Sequence, residues 1–247
     1  MNFTGKTILI TGSTSGIGKE IAKEFLENGA NAVINYIHEE HREETEKEFA
    51  AYNDRCLYVK ADVTDEEQVI GMMKQVEARF GCLDYLVNNV GGAFRGRIDE
   101  QNIADAERII RLNLTSKMIV SKYAVPLMRK AGGGSIINTS SRFALRPAEG
   151  HAAYGSCEAA ILMLTKVMAL ELAPDHIRVN TVCPGRTVSH ERAANPTPDV
   201  AYYAKNAPLG RVGYTTDVAK AVMFLAGDDS SNMTGEELHI NGGILLK

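Results

Sequence analysis

Cysteine is scarce in this chain, and so are long apolar runs and any excess of basic charge. Only four of the 247 residues are cysteine, namely Cys56, Cys82, Cys157 and Cys183. Their wide scatter offers no zinc-type spacing, so no metal site is expected. The thiols are read as reduced, as in a cytoplasmic protein. Lys and Arg number 27 against 31 Asp and Glu, for a formal net charge of −4. With no basic stripe, nucleic acid is not an expected partner. No apolar stretch approaches the length of a membrane span, so no membrane partner is expected either. Met1-Asn-Phe-Thr-Gly-Lys leads straight into an apolar run, with no signal-type segment expected. Internal repeats, low-complexity tracts and interdomain linkers are also missing. What remains is ordinary globular material, 45% hydrophobic and 23% charged. The length suits one large domain, residues 1–247.

Short apolar runs alternate with segments of helical spacing. Strands are expected at Thr7–Thr11, Ala32–Asn35, Leu57–Lys60, Tyr85–Asn88, Ser135–Thr139, Ile177–Val182 and Glu237–Ile240. Between them, Gly16–Asn28 carries Ile17, Ile21, Phe25 and Leu26 at helical spacing and is stopped by Gly29. Glu39–Ala50 is densely charged and reads as a solvated helix face. Thr64-Asp-Glu-Glu67 fits a capping box, opening a helix to about Phe80. Further helices are expected at Ile103–Arg129, as one or two pieces, and at Ala153–Leu172 and Asp217–Leu225. This alternation predicts an α/β fold, a Rossmann-type doubly wound, seven-stranded parallel sheet with helices on both faces. Residues 189–210, with Pro196, Pro198 and Pro208, break the pattern and read as a long loop that is either functional, such as a lid, or mobile.

The first strand runs into Thr11-Gly-Ser-Thr-Ser-Gly-Ile-Gly18, which opens the first helix. Gly12, Gly16 and Gly18 allow a tight turn, close approach of a diphosphate and close helix–strand packing. The helix N-terminus adds free N–H groups and partial positive charge. A glycine-rich turn alone is a weak signal, but its position between strand and helix is the confirming context.

Downstream, Tyr154 follows Ser141 by 13 residues and opens the run Tyr-Gly-Ser-Cys-Glu158. Together with the Gly-x-x-x-Gly-x-Gly loop, this resembles the short-chain dehydrogenase/reductase family, whose active-site motif is Tyr-x-x-x-Lys. Other matches follow in order along nearly the whole chain: Asp62-Val63, Asn88-Asn-Val-Gly91, Asn113, Pro184-Gly185, Pro208–Gly213 and Thr234–Gly243. The pattern looks most like the carbonyl and 3-oxoacyl-carrier-protein reductases of that family. The resemblance implies hydride transfer between a nicotinamide dinucleotide and a carbonyl or secondary alcohol, free or acyl-carrier-linked, and a homotetramer or homodimer. It implies that Ser141, rather than Ser140, polarises the carbonyl, that Tyr154 transfers the proton and that Asn113 organises water. It implies cofactor contacts at Gly12, Ser13, Ser15, Gly16, Ile17, Gly18, Tyr36, Asp62, Val63, Asn89, Val90, Gly91, Glu158, Pro184, Gly185, Thr187 and Ser189.

NAD-dependent members commonly place Asp at the end of the second strand, where this chain has Tyr36. The arginines by which other members hold a 2′-phosphate are also missing, with Ser15 and Ile37 in those positions. His38 and Arg42 could reach a phosphate or lie on the surface. NADP(H) is favoured over NAD(H).

The main departure from the family is Glu158, which stands where the lysine belongs. In the family that lysine holds the nicotinamide ribose and lowers the tyrosine pKa. A free tyrosine titrates near about 10, and each pKa unit is worth about 1.4 kcal/mol. Poising it near neutrality needs about 4 kcal/mol, roughly one charge at ~4 Å and an effective dielectric of ~20. An ionised Glu158, four residues on and sharing a helix face with Tyr154, acts in the opposite direction. Three readings follow. The chain is an attenuated oxidoreductase in which a neutral Tyr154 still donates a proton and Glu158 accepts from ribose hydroxyls. Or it is a nucleotide-binding or regulatory protein without turnover. Or another cation, Lys117 or Arg142, has moved in, although surface exposure or a salt bridge is the ordinary fate of either. Lys166 is too far along the helix to substitute. Arg142 and Arg146 could also bind an anionic substrate, and His151 could touch substrate.

Overall fold

A computed structural model describes residues 1–246. Its first half is β1 (Thr7–Ile10), α1 (Gly16–Glu27), β2 (Asn31–Tyr36), α2 (Glu39–Glu48), β3 (Cys56–Lys60), α3 (Glu66–Phe80) and β4 (Tyr85–Asn88). The second half continues with α4 (Ile103–Ile110), α5 (Ser116–Lys130), β5 (Gly134–Thr139), α6 (Ala152–Leu172) and β6 (Ile177–Pro184). It ends with β7 (Thr187–Val188), α7 (His190–Ala194), α8 (Pro198–Asn206), β8 (Gly213–Tyr214), α9 (Thr215–Ala226) and β9 (Glu237–Ile240).

The main sheet has seven strands in the order β3-β2-β1-β4-β5-β6-β9, and every pairing is parallel. The seven expected strands and the doubly wound α/β class are therefore present. Successive strand residues point to opposite faces, so β1 sends Ile8 and Ile10 to one side and Leu9 to the other. The first side packs on α1 and α9 through Phe25, Leu26, Val218 and Val222. The other packs on α3, α5 and α6 through Val69, Met72, Val120, Met128 and Met168. Both faces are covered, which is why the strands read as continuous apolar runs. The chain moves outward from β1 to β3 and returns to β4 on the other side of β1. That reversal opens a crevice at the carboxyl ends of β1 and β4, where ligands of such sheets bind.

Two local expectations change, and a third, one or two helices at 103–129, is met in its two-piece form. The cap of α3 is Asp65, not Thr64: its carboxylate accepts from the backbone N–H groups of Glu67 (3.0 Å) and Gln68 (3.2 Å). Thr64 is held by Asp62 instead, through its backbone N–H and its hydroxyl, each at 2.8 Å. Residues 189–210 are not an unstructured loop but hold α7 and α8, packed on Val188 and Val212 through Val200. Pro198 starts α8 at its first turn, a position where proline costs no hydrogen bond and its φ suits the helix. The segment 103–129 is two helices joined by a π-helical turn, Arg111–Thr115, with Asn113 at its centre. Such turns recur at functional sites.

Candidate active site

The phosphate loop is a backbone construction. Gly12 and Gly16 have φ of 64° and 53°, in the left-handed region that favours glycine. A methyl group at Gly18 would run into the Gly12 carbonyl oxygen and lie 2.7 Å from Asn89 Nδ2. The Gly12 N–H donates to Asn35 Oδ1 (3.1 Å), and Asn35 Nδ2 donates to the Ala61 carbonyl (2.9 Å). Ser13 lies beneath the loop, fully buried, its hydroxyl donating to Ile10 O (2.8 Å) and accepting from Asn35 N (3.0 Å). It shapes the loop from inside and presents nothing to the crevice. Ser15 makes no side-chain cap on α1, and the first turn has no acidic residue. The N–H groups of that turn are thus left for an anion.

The catalytic candidates meet at the same edge of the sheet. A cavity of about 510 Å³ is lined by Ile17, Asn89, Asn113, Lys117, Ser141, Tyr154, Glu158 and Thr187, among others. Val90, Gly91, Pro184 and Gly185 also line it. Asn113 is buried and its side chain is fully used: Nδ2 donates to Gly92 O (2.9 Å) and Ile109 O (3.0 Å), and Oδ1 accepts from Gly92 N (2.9 Å). It ties the π turn to the loop after β4. A side chain at Gly91 would collide with it, at 2.6 Å from Oδ1. Ser140 turns its hydroxyl to the Glu158 carbonyl (3.0 Å) and so clamps β5 to α6. Ser141 is the serine left facing Tyr154. Burial, then the Glu158 carboxyl, push the Tyr154 phenol well above its ordinary range; Ser141 and Arg142 act against that shift.

The expectation of surface exposure or a salt bridge does not describe Lys117. It is buried, 3% exposed, on the inner face of α5. Its ammonium donates to the carbonyl oxygens of Asn88 (3.1 Å) and Val90 (3.0 Å) at the end of β4. Burial pulls its pKa down, and Glu158 partly restores it. Glu158, also 3% exposed, is pushed up by burial and held back by Lys117 and by Ser140. A buried cation and a buried anion from two helices therefore face one cavity. Lys166 is not among the cavity-lining residues and pairs with Glu237 at 2.8 Å.

Arg142 is buried too. Its Nη2 donates to the Tyr203 hydroxyl (2.7 Å), and its guanidinium lies 4.4 Å from the Phe143 ring centre and 4.6 Å from that of Tyr203. It locks α8 over the cavity mouth, where Arg186 pairs with Asp199 at 2.6 Å. Arg146 turns away to the Ile244 carbonyl (2.7 Å). His151 stacks on Phe143, with centroids 4.5 Å apart, at the cavity wall beside Tyr154.

Not every expected cofactor residue reaches the cavity. Val63 is core. Ser189 is exposed and caps α7, accepting from Arg192 N at 3.3 Å. Tyr36 sits at the end of β2, its phenol raised by burial and by Glu39. Arg42 pairs with Glu46 at 2.9 Å, and His38 is exposed. Asn35 was missed; its only sequence signal is an amide inside an otherwise apolar strand. Thr139 was missed as well, and its hydroxyl is buried without a partner among the cavity-lining residues. The uncapped helix, the loop that admits no Cβ at Gly18 and this orphaned hydroxyl fit a dinucleotide whose diphosphate rests on α1.

The strand order, the phosphate loop and the Ser141–Tyr154 pair define an NAD(P)-binding oxidoreductase scaffold. The chain belongs to the short-chain dehydrogenase/reductase family. Residues 12–245 match the family model described as enoyl-(acyl carrier protein) reductase. An uncharacterised oxidoreductase of Thermotoga maritima is 38% identical over 250 residues, spanning 98% of each chain. The 3-oxoacyl-acyl-carrier-protein reductase of the same organism is 34% identical over 248 residues, 100% of each. Among solved structures, a gluconate 5-dehydrogenase from Burkholderia cenocepacia in complex with NADP and tartrate superposes with a TM-score of 0.91. It is 30% identical, with 100% of this chain and 97% of that one covered.

Proposed function

We propose that this protein reduces a small ketone or 3-oxoacyl-type carbonyl, with NADP(H) preferred to NAD(H). One observation carries the reading: Ser141 and Tyr154 stand together in the cavity that adjoins the phosphate loop. When bound, the nicotinamide supplies the hydride. Ser141 donates a hydrogen bond to the carbonyl oxygen, and Tyr154 gives that oxygen its proton. Asn113 holds the loop after β4, with Gly91 and Gly92, against the cavity. Because burial and Glu158 keep the phenol protonated, Tyr154 is suited to donating a proton and poorly suited to removing one. Reduction is therefore the favoured direction. Alcohol oxidation should rise about tenfold per pH unit through the alkaline range, as phenolate becomes available.

The preference for NADP(H) is supported by Tyr36 in place of a carboxylate that would repel a 2′-phosphate, and by the NADP found in the Burkholderia relative. Glu39, near Tyr36, is paired with Lys60 at 3.1 Å. Exposed Ile103, Ile110, Met118, Met163, Val167 and Leu170 on α4, α5 and α6 support self-association as a homotetramer or homodimer.

The test is binding of NADPH and of NADH by fluorescence, followed by turnover of a ketone and 3-oxoacyl panel with the tighter cofactor. Tight NADPH binding with turnover supports the reading. The raised phenol of Tyr154 favours a second one, a nucleotide-binding protein without turnover. Binding with no turnover at high enzyme would select it.

A further inference from the structure

We propose that Lys117 and Glu158 work as one site, a donor from α5 and an acceptor from α6 that together grip the vicinal diol of the nicotinamide-side ribose. In this pair Lys117 is the positioning cation that holds Glu158 in its ionised, accepting form. The inference rests on the nucleotide-binding oxidoreductase reading and deepens it.

The geometry is complementary to a diol. An ammonium has three N–H groups and accepts nothing; an ionised carboxylate only accepts. Lys117 gives two hydrogen bonds to Asn88 O and Val90 O. One N–H remains. Both side chains line the cavity that holds Tyr154 and Ser141, and among the described residues Lys117 makes no hydrogen bond to Glu158. Two buried opposite charges that line one cavity without bonding each other suit a ligand that can receive from one and donate to the other. Each hydroxyl of a ribose does both, so one can accept from Lys117 and its neighbour donate to Glu158. No diphosphate, ketone or acyl chain offers that combination.

The electrostatics require both partners. Burial alone drives Glu158 toward its protonated form and Lys117 toward its neutral form; each opposes the other's shift. Removal of Lys117 leaves a buried carboxyl with no nearby cation beyond Arg142, which faces Tyr154 and is committed to Tyr203. The other titratable groups around Glu158 are Tyr154 and Cys157 on α6 and Cys183 on β6. Burial pushes Cys157 up to about 11 and Cys183 up to about 12, and Tyr154 is raised as well, so all three stay uncharged near neutrality. His151, stacked on Phe143, also lines the cavity, so a neutral-pH transition in ribose binding is assigned to the pair by its loss in Glu158→Gln.

The test compares ADP, as its β-methyl ester so that both ligands are diphosphate diesters of equal charge, with ADP-ribose, each carrying a 2′-phosphate if NADPH proves the tighter cofactor. The ratio of their affinities isolates the second ribose. In the wild type we expect ADP-ribose to bind about tenfold tighter than ADP, with the gain lost on the acid side as Glu158 takes a proton. Lys117→Met and Glu158→Gln should each remove most of that ratio while ADP affinity stays within about twofold. The double variant Lys117→Met/Glu158→Gln, which leaves no unpaired buried charge, should lose no more than either single change, as coupled residues do. Its folding keeps the test valid if Lys117→Met is unstable. The exchange Lys117→Glu/Glu158→Lys should recover part of the ratio. An unchanged ratio in the double variant would overturn the proposal, as would an acid limb that persists in Glu158→Gln. Absence of turnover in the wild type, with the ratio and its loss intact, would instead sink only the enzymatic reading.

Discussion

The two ends of the nucleotide crevice are built on different physics. At the β1–α1 end the surface offered to a ligand is backbone, glycine φ values and amide donors braced from beneath by the Asn35 and Ser13 side chains, with no charged side chain in the loop itself. At the β4–α5–α6 end the site is made of buried charge, Lys117 against Glu158 beside Tyr154. A backbone site tolerates little change, because a Cβ at Gly18 has nowhere to go and Gly12 and Gly16 hold a positive φ. A charged site can be rearranged, because a cation delivered from another helix acts on the same volume. On the proposal above, Glu158 at the motif position is a rearrangement whose counterpart lies 41 residues upstream, at Lys117.

The contrast is broken most severely at the backbone end. Gly18→Ala should abolish nucleotide binding or folding, since its methyl group meets the Gly12 carbonyl and Asn89; calorimetric titration with NADPH would show no saturable heat. Next in size is Ser141→Ala. Loss of one donor to a developing oxyanion costs about 10²–10³ in kcat, with KM little altered. Steady-state kinetics against pH would separate that from a folding defect.

The smallest effect is the most diagnostic of the charged end. Glu158 has a raised native pKa, so between its unfolded value and that raised value the native state binds more protons, and stability falls as pH rises. Lys117 has a lowered native pKa, so between that value and its unfolded value the unfolded state binds more protons, and stability rises with pH. The ligand-free protein should show a shallow stability minimum between the two transitions, on the order of 1–3 kcal/mol deep. Thermal melts from pH 5 to 10 should show this dip in the wild type and a flatter curve in Lys117→Met/Glu158→Gln. A wild type with no dip would mean that the pair is not buried together.

Much of this was legible in the sequence, and the limits are physical. Apolar runs between glycine-bounded helices specify a doubly wound sheet because both of its faces are buried. The glycine loop and the Ser141–Tyr154 spacing are local patterns, so they mark their own positions. Lys117 is different. That it shares a helix face with Asn113 follows from the four-residue spacing. That this face is walled by the carbonyls of β4, and not by water, depends on a strand packed against α5 from elsewhere in the chain. Asn35 likewise reaches the phosphate loop only because β2 lies next to β1. Pro198 reads as a helix breaker in sequence but starts α8, because its place in the first turn is set by the packing of Val200 on Val188 and Val212.

The central claim is that this rearranged site still transfers a proton through Tyr154. It is tested most directly by turnover of the ketone and 3-oxoacyl panel with NADPH, wild type against Tyr154→Phe. The account predicts measurable reduction by the wild type and a loss of about 10²–10⁴ in the variant, as for removal of a general acid, with NADPH affinity preserved. A Tyr154→Phe protein that keeps the wild-type rate would contradict it.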